Sequence, residues 1–137
     1  MSRKARPKRV YFEVPGGKDA PAAARKRLTK ELSDRVDADA LYEVSLLLSE
    51  LVTNAVRHGG AGKSDRIEIE VRLGADVVRV RVTDPGKGFT RPAKPRAHPG
   101  GEGGNGLPLL QALARAWDVE GGRPTVVWFE VELGQAA

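Results

Sequence analysis

The segment SELVTNAVRHG, residues 49–59, decides the fold that we expect for this chain. Within it, Glu50, Asn54 and His58 recur every four residues, so these side chains lie along one side of a predicted helix over about 39–58. They are interpreted either as a solvated helix edge with a histidine near its C-terminal end, or as part of a site. The apolar residues of the helix share one broad arc, wide enough to pack on a sheet: Leu47, Val44, Leu48, Leu51, Val52, Ala55 and Val56.

Strands and two further helices are predicted on both sides of this helix. Asp19 can cap the first helix, and Pro21 suits its first turn. Alternation of apolar and charged residues predicts an antiparallel hairpin with one face in water. The order of elements predicts an α+β two-layer sandwich, with a mixed, mostly antiparallel sheet and helices on one face. The other predicted elements are a strand over 10–14, a helix over about 20–35, hairpin strands over 66–73 and 78–82, a helix over about 108–116, and strands near 117–120 and 125–133.

Charge and composition exclude several classes of protein. The net charge is +5, but five basic residues lie among the first nine, and the rest of the chain is balanced. We therefore predict a basic flexible tail over 1–9 and a single domain over 10–133. Such a neutral body has no continuous basic track, so direct nucleic-acid binding is not expected. The chain has no cysteine, which excludes thiol chemistry, and no segment that predicts a signal peptide or a membrane span, so we expect a soluble cytoplasmic protein.

A long loop is predicted over 85–106, where four prolines and many glycines accompany Phe89 as the single large apolar residue. Loops of about 20 residues inside compact domains are usually functional, and we expect this one to be mobile. Asp84 precedes it at the end of a strand, where a carboxylate can accept a hydrogen bond from a ligand amine. Gly86 and Gly88 permit close approach of the backbone to a bulky ligand. An ordinary Asp-Pro-Gly turn is the alternative.

The loop ends at the glycine-rich run 103–107, immediately before a helix. Free backbone N–H groups and the helix dipole favour a phosphate there. The span 101–106 also satisfies G-x-G-x-x-G, but a dinucleotide-binding fingerprint follows a strand directly, so this interpretation is rejected. Two histidines, His58 and His98, are too few for a convincing histidine metal cluster.

Three motifs occur in a fixed order along the chain: Glu50-x-x-x-Asn54, Asp84-x-Gly86-x-Gly88 and Gly104-x-Gly106-Leu107. In this combination the chain resembles the ATP-binding fold shared by gyrase, heat-shock protein 90, histidine kinases and MutL. The segment 49–59, the small size and the ending TVVWFE, residues 125–130, most resemble the anti-sigma-factor serine/threonine kinases. The resemblance covers roughly residues 10–133.

The resemblance implies a role for each residue of these motifs. Glu50 orients or deprotonates the attacking hydroxyl, and Asn54 coordinates the Mg²⁺ that bridges the triphosphate. Asp84 accepts a hydrogen bond from the adenine amino group, while Thr125 supports the adenine side of the pocket. The other implied nucleotide-binding positions lie in the loop near the base and at the phosphate-facing end of the lid: Gly86, Gly88, Gly104, Gly106 and Leu107.

The implied function is that of an ATP- and Mg²⁺-dependent anti-sigma factor. It sequesters a sigma factor, phosphorylates a serine or threonine of an antagonist protein, and forms a homodimer. One alternative is a nucleotide-regulated protein-binding module without kinase turnover. A detached histidine-kinase catalytic module is disfavoured, because the chain has no room for a dimerisation helix pair. Nucleic-acid binding through the basic tail is the weakest alternative.

Overall fold

A computed structural model describes residues 7–57, 61–84, 106–120 and 124–133. Within these ranges, strands and helices alternate in an order close to the predicted one. No helix in these ranges combines the length and the apolar character needed to cross a membrane. The elements are β1 (Lys8–Pro15), α1 (Ala20–Leu32), α2 (Ala38–Arg57), β2 (Arg66–Leu73), β3 (Val77–Asp84), α3 (Gly106–Leu113), β4 (Ala116–Glu120) and β5 (Thr125–Glu132).

The strands form one sheet in the order β1-β2-β3-β5-β4. All four pairings between the described strands are antiparallel, whereas the sequence predicted a mixed, mostly antiparallel sheet. The predicted hairpin is present as β2 and β3, with Val71 paired to Val80 in register. The α+β two-layer sandwich predicted from the order of elements is therefore confirmed.

The helices cover one face of the sheet, and α2 provides much of the core. All members of its predicted apolar arc are buried except Val56, which is half-buried. They pack against the inward side chains of the strands, including Phe129, Ile69 and Val80. Because burying one such side chain contributes roughly 1.5–3 kcal/mol, this interface is the main source of stability. The opposite face of the sheet carries alternating charged residues such as Glu70 and Arg79, as the period-two pattern predicted.

Two helix boundaries differ from the prediction. Helix α1 ends at Leu32 instead of near residue 35, and α2 begins at Ala38 after a short turn. The carboxylate of Asp37 explains the second start, because its Oδ1 accepts a hydrogen bond from the Ala40 N–H at 2.8 Å. Asp19 does occupy the N-cap position of α1, but its side chain makes no capping hydrogen bond.

Helix α3 begins at Gly106, two residues before the predicted start, and ends at Leu113. Pro108 still lies in its first turn, where a missing N–H is tolerated. Ala116 was predicted as the last residue of this helix but is the first residue of β4. Its pairing with Glu130 of β5 outweighs the high intrinsic helix propensity of alanine, because tertiary pairing commonly overrides local propensity.

The strand β1 includes two residues that we predicted to belong to the flexible tail. Lys8 places its Nζ atom 3.0 Å from Oε1 of Glu31, and Arg9 places Nη2 2.6 Å from Oε2 of Glu70. Both basic residues also pair with β2 in register. Cross-strand pairing and opposite charges thus extend the strand beyond the apolar pattern from which it was predicted.

Candidate functional site

Two polar residues are buried side by side where β3 ends and β5 begins. Asp84 is 3% exposed and Thr125 is 1% exposed, and they are register partners across the two strands. Both lie on the helix-bearing face, among inward-facing valines such as Val82 and Val127. Burying a carboxylate in such surroundings is costly unless polar groups meet it. A buried polar pair at a strand end is therefore a candidate for recognition of a ligand amine.

Glu50 and Asn54 lie one turn apart on α2, and both are half-buried. Neither side chain makes a hydrogen bond or an ion pair with another residue in the described part of the chain. Their neighbour Ser49 points to the flank that faces α1, since its Oγ accepts a hydrogen bond from Arg25. At about 100° per residue, Glu50 and Asn54 project from the other flank of the helix. Their carboxylate and amide are thus available for a ligand.

The C-terminal end of α2 is anchored beside the end of β1. The Ala61 N–H donates a hydrogen bond to the Ala55 carbonyl at 3.2 Å, and the Gly17 N–H donates one to the Ala61 carbonyl at 3.1 Å. Gly16 allows this close approach, because a Cβ atom there would lie 2.6 Å from the carbonyl oxygen of Ala61. Asn54 directly precedes Ala55, so it lies near the end of the sheet where β1 terminates.

The strand register shows which end of β3 lies beside the end of β1. Pro15, the last residue of β1, pairs with Arg66, and two positions further along β2 Glu68 pairs with the penultimate residue of β3. The ends of β1 and β3 consequently lie at the same end of the sheet. Since α2 packs on β3 and β5, the structure brings Asn54 and the buried Asp84 to one end of the sheet and to one face.

Helix α3 packs beside α2. It packs against α2 through Leu110, which is fully buried. Gly106 and Leu107, two of the predicted nucleotide-binding positions, form its first turn. The free N–H groups of a helix N-terminus favour an anion, so the first turn of α3 stays a candidate for the predicted phosphate-facing turn.

Several predicted site residues lie outside the described residues. Gly86, Gly88 and Gly104 belong to the segment 85–105, and His58 follows the described end of α2. The mobile loop and the lid therefore remain predictions. The roles implied for Glu50, Asn54, Asp84, Thr125, Gly106 and Leu107 also remain predictions.

Sequence reasoning missed one contact beside this region. Arg25 of α1 donates a hydrogen bond from Nη1 to the Ser49 Oγ at 2.5 Å, which connects α1 to the residue before Glu50. The sequence did contain a signal for this contact. Ser49 is a polar residue at the border of the apolar arc, and a buried polar residue requires a hydrogen-bond partner. The sequence does not say which of the many basic residues provides that partner.

The polar side chains at this end of the sheet have the chemistry that Mg²⁺-ATP requires. A side-chain amide oxygen such as that of Asn54 is a hard ligand, and Mg²⁺ usually takes few protein ligands together with water and phosphate oxygens. Across the described ranges, no group of three or more histidine, aspartate or glutamate side chains is arranged to hold a metal. The buried carboxylate of Asp84 fits an exocyclic amine, and the half-buried Glu50 fits a hydroxyl that loses its proton.

Comparisons with known proteins identify the family and the fold. The sequence model of the family described as histidine kinase-like ATPase domain matches residues 15–131 of this chain. The chain is similar in structure to the RsbU and RsbW domains of Rv1364c from Mycobacterium tuberculosis, with a TM-score of 0.73, 21% identity and coverage of 95% of this chain. It is also similar to the histidine kinase domain of the EL346 blue-light activated histidine kinase from Erythrobacter litoralis, with a TM-score of 0.59, 21% identity and 83% coverage of this chain.

These structural similarities show the fold. The chain spans 33% of the length of the mycobacterial protein chain and 59% of the Erythrobacter one. A search of curated proteins found no match.

Proposed function

The chain belongs to the histidine kinase-like ATPase domain family, and from this premise we propose that it is an ATP-binding anti-sigma factor with serine/threonine kinase activity. In this proposal it sequesters a sigma factor and phosphorylates an antagonist of that sequestration. We propose further that it acts as a homodimer. The resemblance of residues 49–59 to the anti-sigma-factor kinases supports the two protein partners and the dimer.

One observation carries the ATP-binding part of the proposal. Glu50 and Asn54 project from α2 without a partner among the described residues, at the end of the sheet where Asp84 and Thr125 are buried. The amide and the carboxylate of α2 thus share one end of the fold with a buried carboxylate that could accept a hydrogen bond from the adenine amino group. Membership in an ATPase domain family supports the same ligand.

Each described residue has a proposed part in binding. The Asp84 carboxylate accepts a hydrogen bond from the adenine amino group, in surroundings where burial strengthens the contact. The Thr125 hydroxyl lies beside it in register and supports the same side of the base. The Asn54 amide oxygen would hold Mg²⁺, which neutralises charge on the phosphate oxygens when bound. Gly106 and Leu107 direct backbone N–H groups of the first turn of α3 toward phosphate.

The proposed reaction transfers the γ-phosphoryl group of ATP to a serine or threonine hydroxyl. A bond forms between the hydroxyl oxygen and the γ-phosphorus, while the bond from that phosphorus to the β–γ bridging oxygen breaks and ADP leaves. The hydroxyl proton passes to the Glu50 carboxylate. Such transfer depends mainly on positioning and charge neutralisation, so one carboxylate, one metal ion and a closed site suffice.

Transfer of label from γ-labelled ATP to candidate antagonist proteins tests the proposal. Glu50→Gln retains the size of the side chain and removes the base, so we expect near-normal ATP affinity and transfer that is about 10²–10⁴ slower. Glu43→Gln is the matched control, because Glu43 is a half-buried glutamate of the same helix, two turns before Glu50.

Two results would change the proposal. Unchanged transfer by Glu50→Gln would remove Glu50 from the role of base. Absence of transfer from the wild-type protein to every tested antagonist, together with intact ATP binding, would favour a nucleotide-regulated binding module.

A further inference from the structure

Ser49, the residue directly before Glu50, is held from two sides. It is 9% exposed, and its Oγ accepts a hydrogen bond from Arg25 Nη1 at 2.5 Å. Its carbonyl oxygen accepts a further hydrogen bond from Thr53 Oγ1 at 2.8 Å. Beyond the cap at its start, α2 makes no other side-chain hydrogen bond with the described residues. Both bonds therefore converge on the residue that precedes the proposed base.

A residue with a hydroxyl group precedes each functional residue of α2. Ser49 precedes Glu50, and one turn later Thr53 precedes Asn54. Successive residues of a helix are about 100° apart around its axis, so the direction of one side chain fixes the direction of the next. Bonds that hold Ser49 and Thr53 consequently determine where the carboxylate and the amide project.

The helix that carries Arg25 is itself fixed on the sheet. Glu31 of α1 pairs with Lys8 of β1 and with Arg27, each at 3.0 Å. The Arg27 guanidinium also lies over the Phe12 ring, 5.1 Å from its centroid. Polar and ring contacts thus connect β1 to α1, and Arg25 extends them to α2 from a fixed support.

Apolar packing sets the rotation of α2 about its axis less sharply than such a hydrogen bond does. The hydrophobic effect is non-directional, whereas a hydrogen bond weakens steeply as its angle changes. A rotation of about 10° moves a group that lies about 6 Å from the helix axis by about 1 Å. Misplacement by about 1 Å can slow a chemical step by about 10²-fold. A hydrogen bond that limits this rotation therefore affects the reaction without contacting the substrate.

From these contacts we propose that Ser49 is a positioning residue. Held by Arg25 and Thr53, it sets the rotation of α2 and so directs Glu50 and Asn54 toward their ligands. This inference rests on the proposed function, because those ligands are the acceptor hydroxyl and Mg-ATP.

Ser49→Ala tests the positioning role, because it removes the hydroxyl and leaves Glu50 and Asn54 in the chain. At saturating Mg-ATP and acceptor protein, we expect transfer to slow about tenfold, as for a displacement of less than about 1 Å. ATP affinity without Mg²⁺, which depends on Asp84 and Thr125 in the proposed site, should stay within about twofold. The Mg²⁺ concentration for half-maximal transfer should rise, since the Asn54 amide is displaced as well.

Ser45→Ala is the matched control. Ser45 lies one turn before Ser49, is half-buried, and makes no side-chain hydrogen bond with a described residue. The same substitution there should leave the transfer rate and its Mg²⁺ dependence unchanged. Thermal melts of both variants separate a loss of stability from a loss of positioning.

A double-mutant cycle identifies Arg25 as the other half of the contact. Arg25→Met and Ser49→Ala each break it, so the double variant should transfer at the rate of the slower single variant. Lys26→Met removes a neighbouring exposed cation of α1 that makes no bond to Ser49. Its effect should therefore add to that of Ser49→Ala.

The inference is wrong if Ser49→Ala and Ser45→Ala transfer at equal rates, or if the effects of Arg25→Met and Ser49→Ala simply add. It is also wrong if the slower transfer only follows a fall in melting temperature or in ATP affinity without Mg²⁺.

Failure of the proposed function has a different signature. A wild-type protein that neither transfers label nor binds Mg-ATP would overturn the proposed function, and the positioning role with it. If the wild type binds Mg-ATP without transfer, Ser49→Ala should still raise the Mg²⁺ concentration that ATP binding requires, and an unchanged requirement would overturn the positioning role.

Discussion

Replacement of Asp84 by asparagine separates the binding role of this carboxylate from its structural role. The side chain is 3% exposed, and an amide of the same size leaves no cavity. The amide keeps one acceptor oxygen, so it can retain part of the polar contacts that Asp84 makes within the fold. We therefore expect the variant to fold.

The expected loss is in nucleotide affinity. Hydrogen bonds to a charged group contribute roughly 1.5–3 kcal/mol, so loss of the charged acceptor for the adenine amine corresponds to a roughly 10- to 150-fold weaker Kd for Mg-ATP. Calorimetric titration measures this change, and a thermal melt of the same sample measures stability. Thr83→Val is the matched control, because Thr83 lies next in the strand but pairs with Glu68 on the open face of the sheet.

Equal ATP affinity of Asp84→Asn and wild type would refute the role of Asp84 in recognition of the base. A large fall in melting temperature would show that the carboxylate is needed for the fold itself. Loss of affinity in Thr83→Val as well would show that any change at the end of β3 disturbs the site.

Two further predictions concern contacts that support the site. Gly16→Ala should destabilise the protein by about 1–3 kcal/mol in denaturant unfolding, because its Cβ would collide with backbone carbonyl oxygens, whereas Gly62→Ala, which meets no atom within 4 Å, should be tolerated; equal stability of the two variants would contradict this packing. Hydrogen bonds from Lys8 and then Arg27 lower the pKa of Glu31 below its ordinary value of 4.5, so their stabilising effect is present above that value and is lost as the pH falls through the lowered pKa. Glu31→Gln should accordingly lower the melting temperature at pH 7, and the difference from wild type should vanish in acid; a difference that persists in acid would mean that the charge is not its cause.

The sequence predicted the architecture well, because apolar periodicity reports directly on burial. The arc on α2 and the alternation in β2 and β3 identified the buried faces, and these faces determine how helices and sheet pack. Helix ends were less predictable. Helix α2 begins at Ala38 because Asp37 caps it, and a capping aspartate looks like any other polar residue in the sequence.

The candidate site was predicted only in part. The end of β3 followed from the hairpin pattern, so Asp84 could be placed at a strand end before the structure was known. Its pairing with Thr125 could not be predicted, since register between β3 and β5 depends on packing between residues that are distant in the chain. The contact between Arg25 and Ser49 likewise joins two helices, and local periodicity carries no information on such pairs.

The most direct test of ATP binding at this end of the sheet is a titration of the ¹⁵N-labelled protein with Mg-ATP, followed by two-dimensional NMR. The account predicts saturable shifts at the C-terminal half of α2, at the end of β3, at the start of β5 and in the first turn of α3. The opposite face of the sheet offers a competing polar concavity of about 240 Å³, lined by Glu70, Arg72, Arg79, Arg81, Glu120 and Trp128. Shifts confined to that concavity, or no shifts at saturating Mg-ATP, would contradict the account.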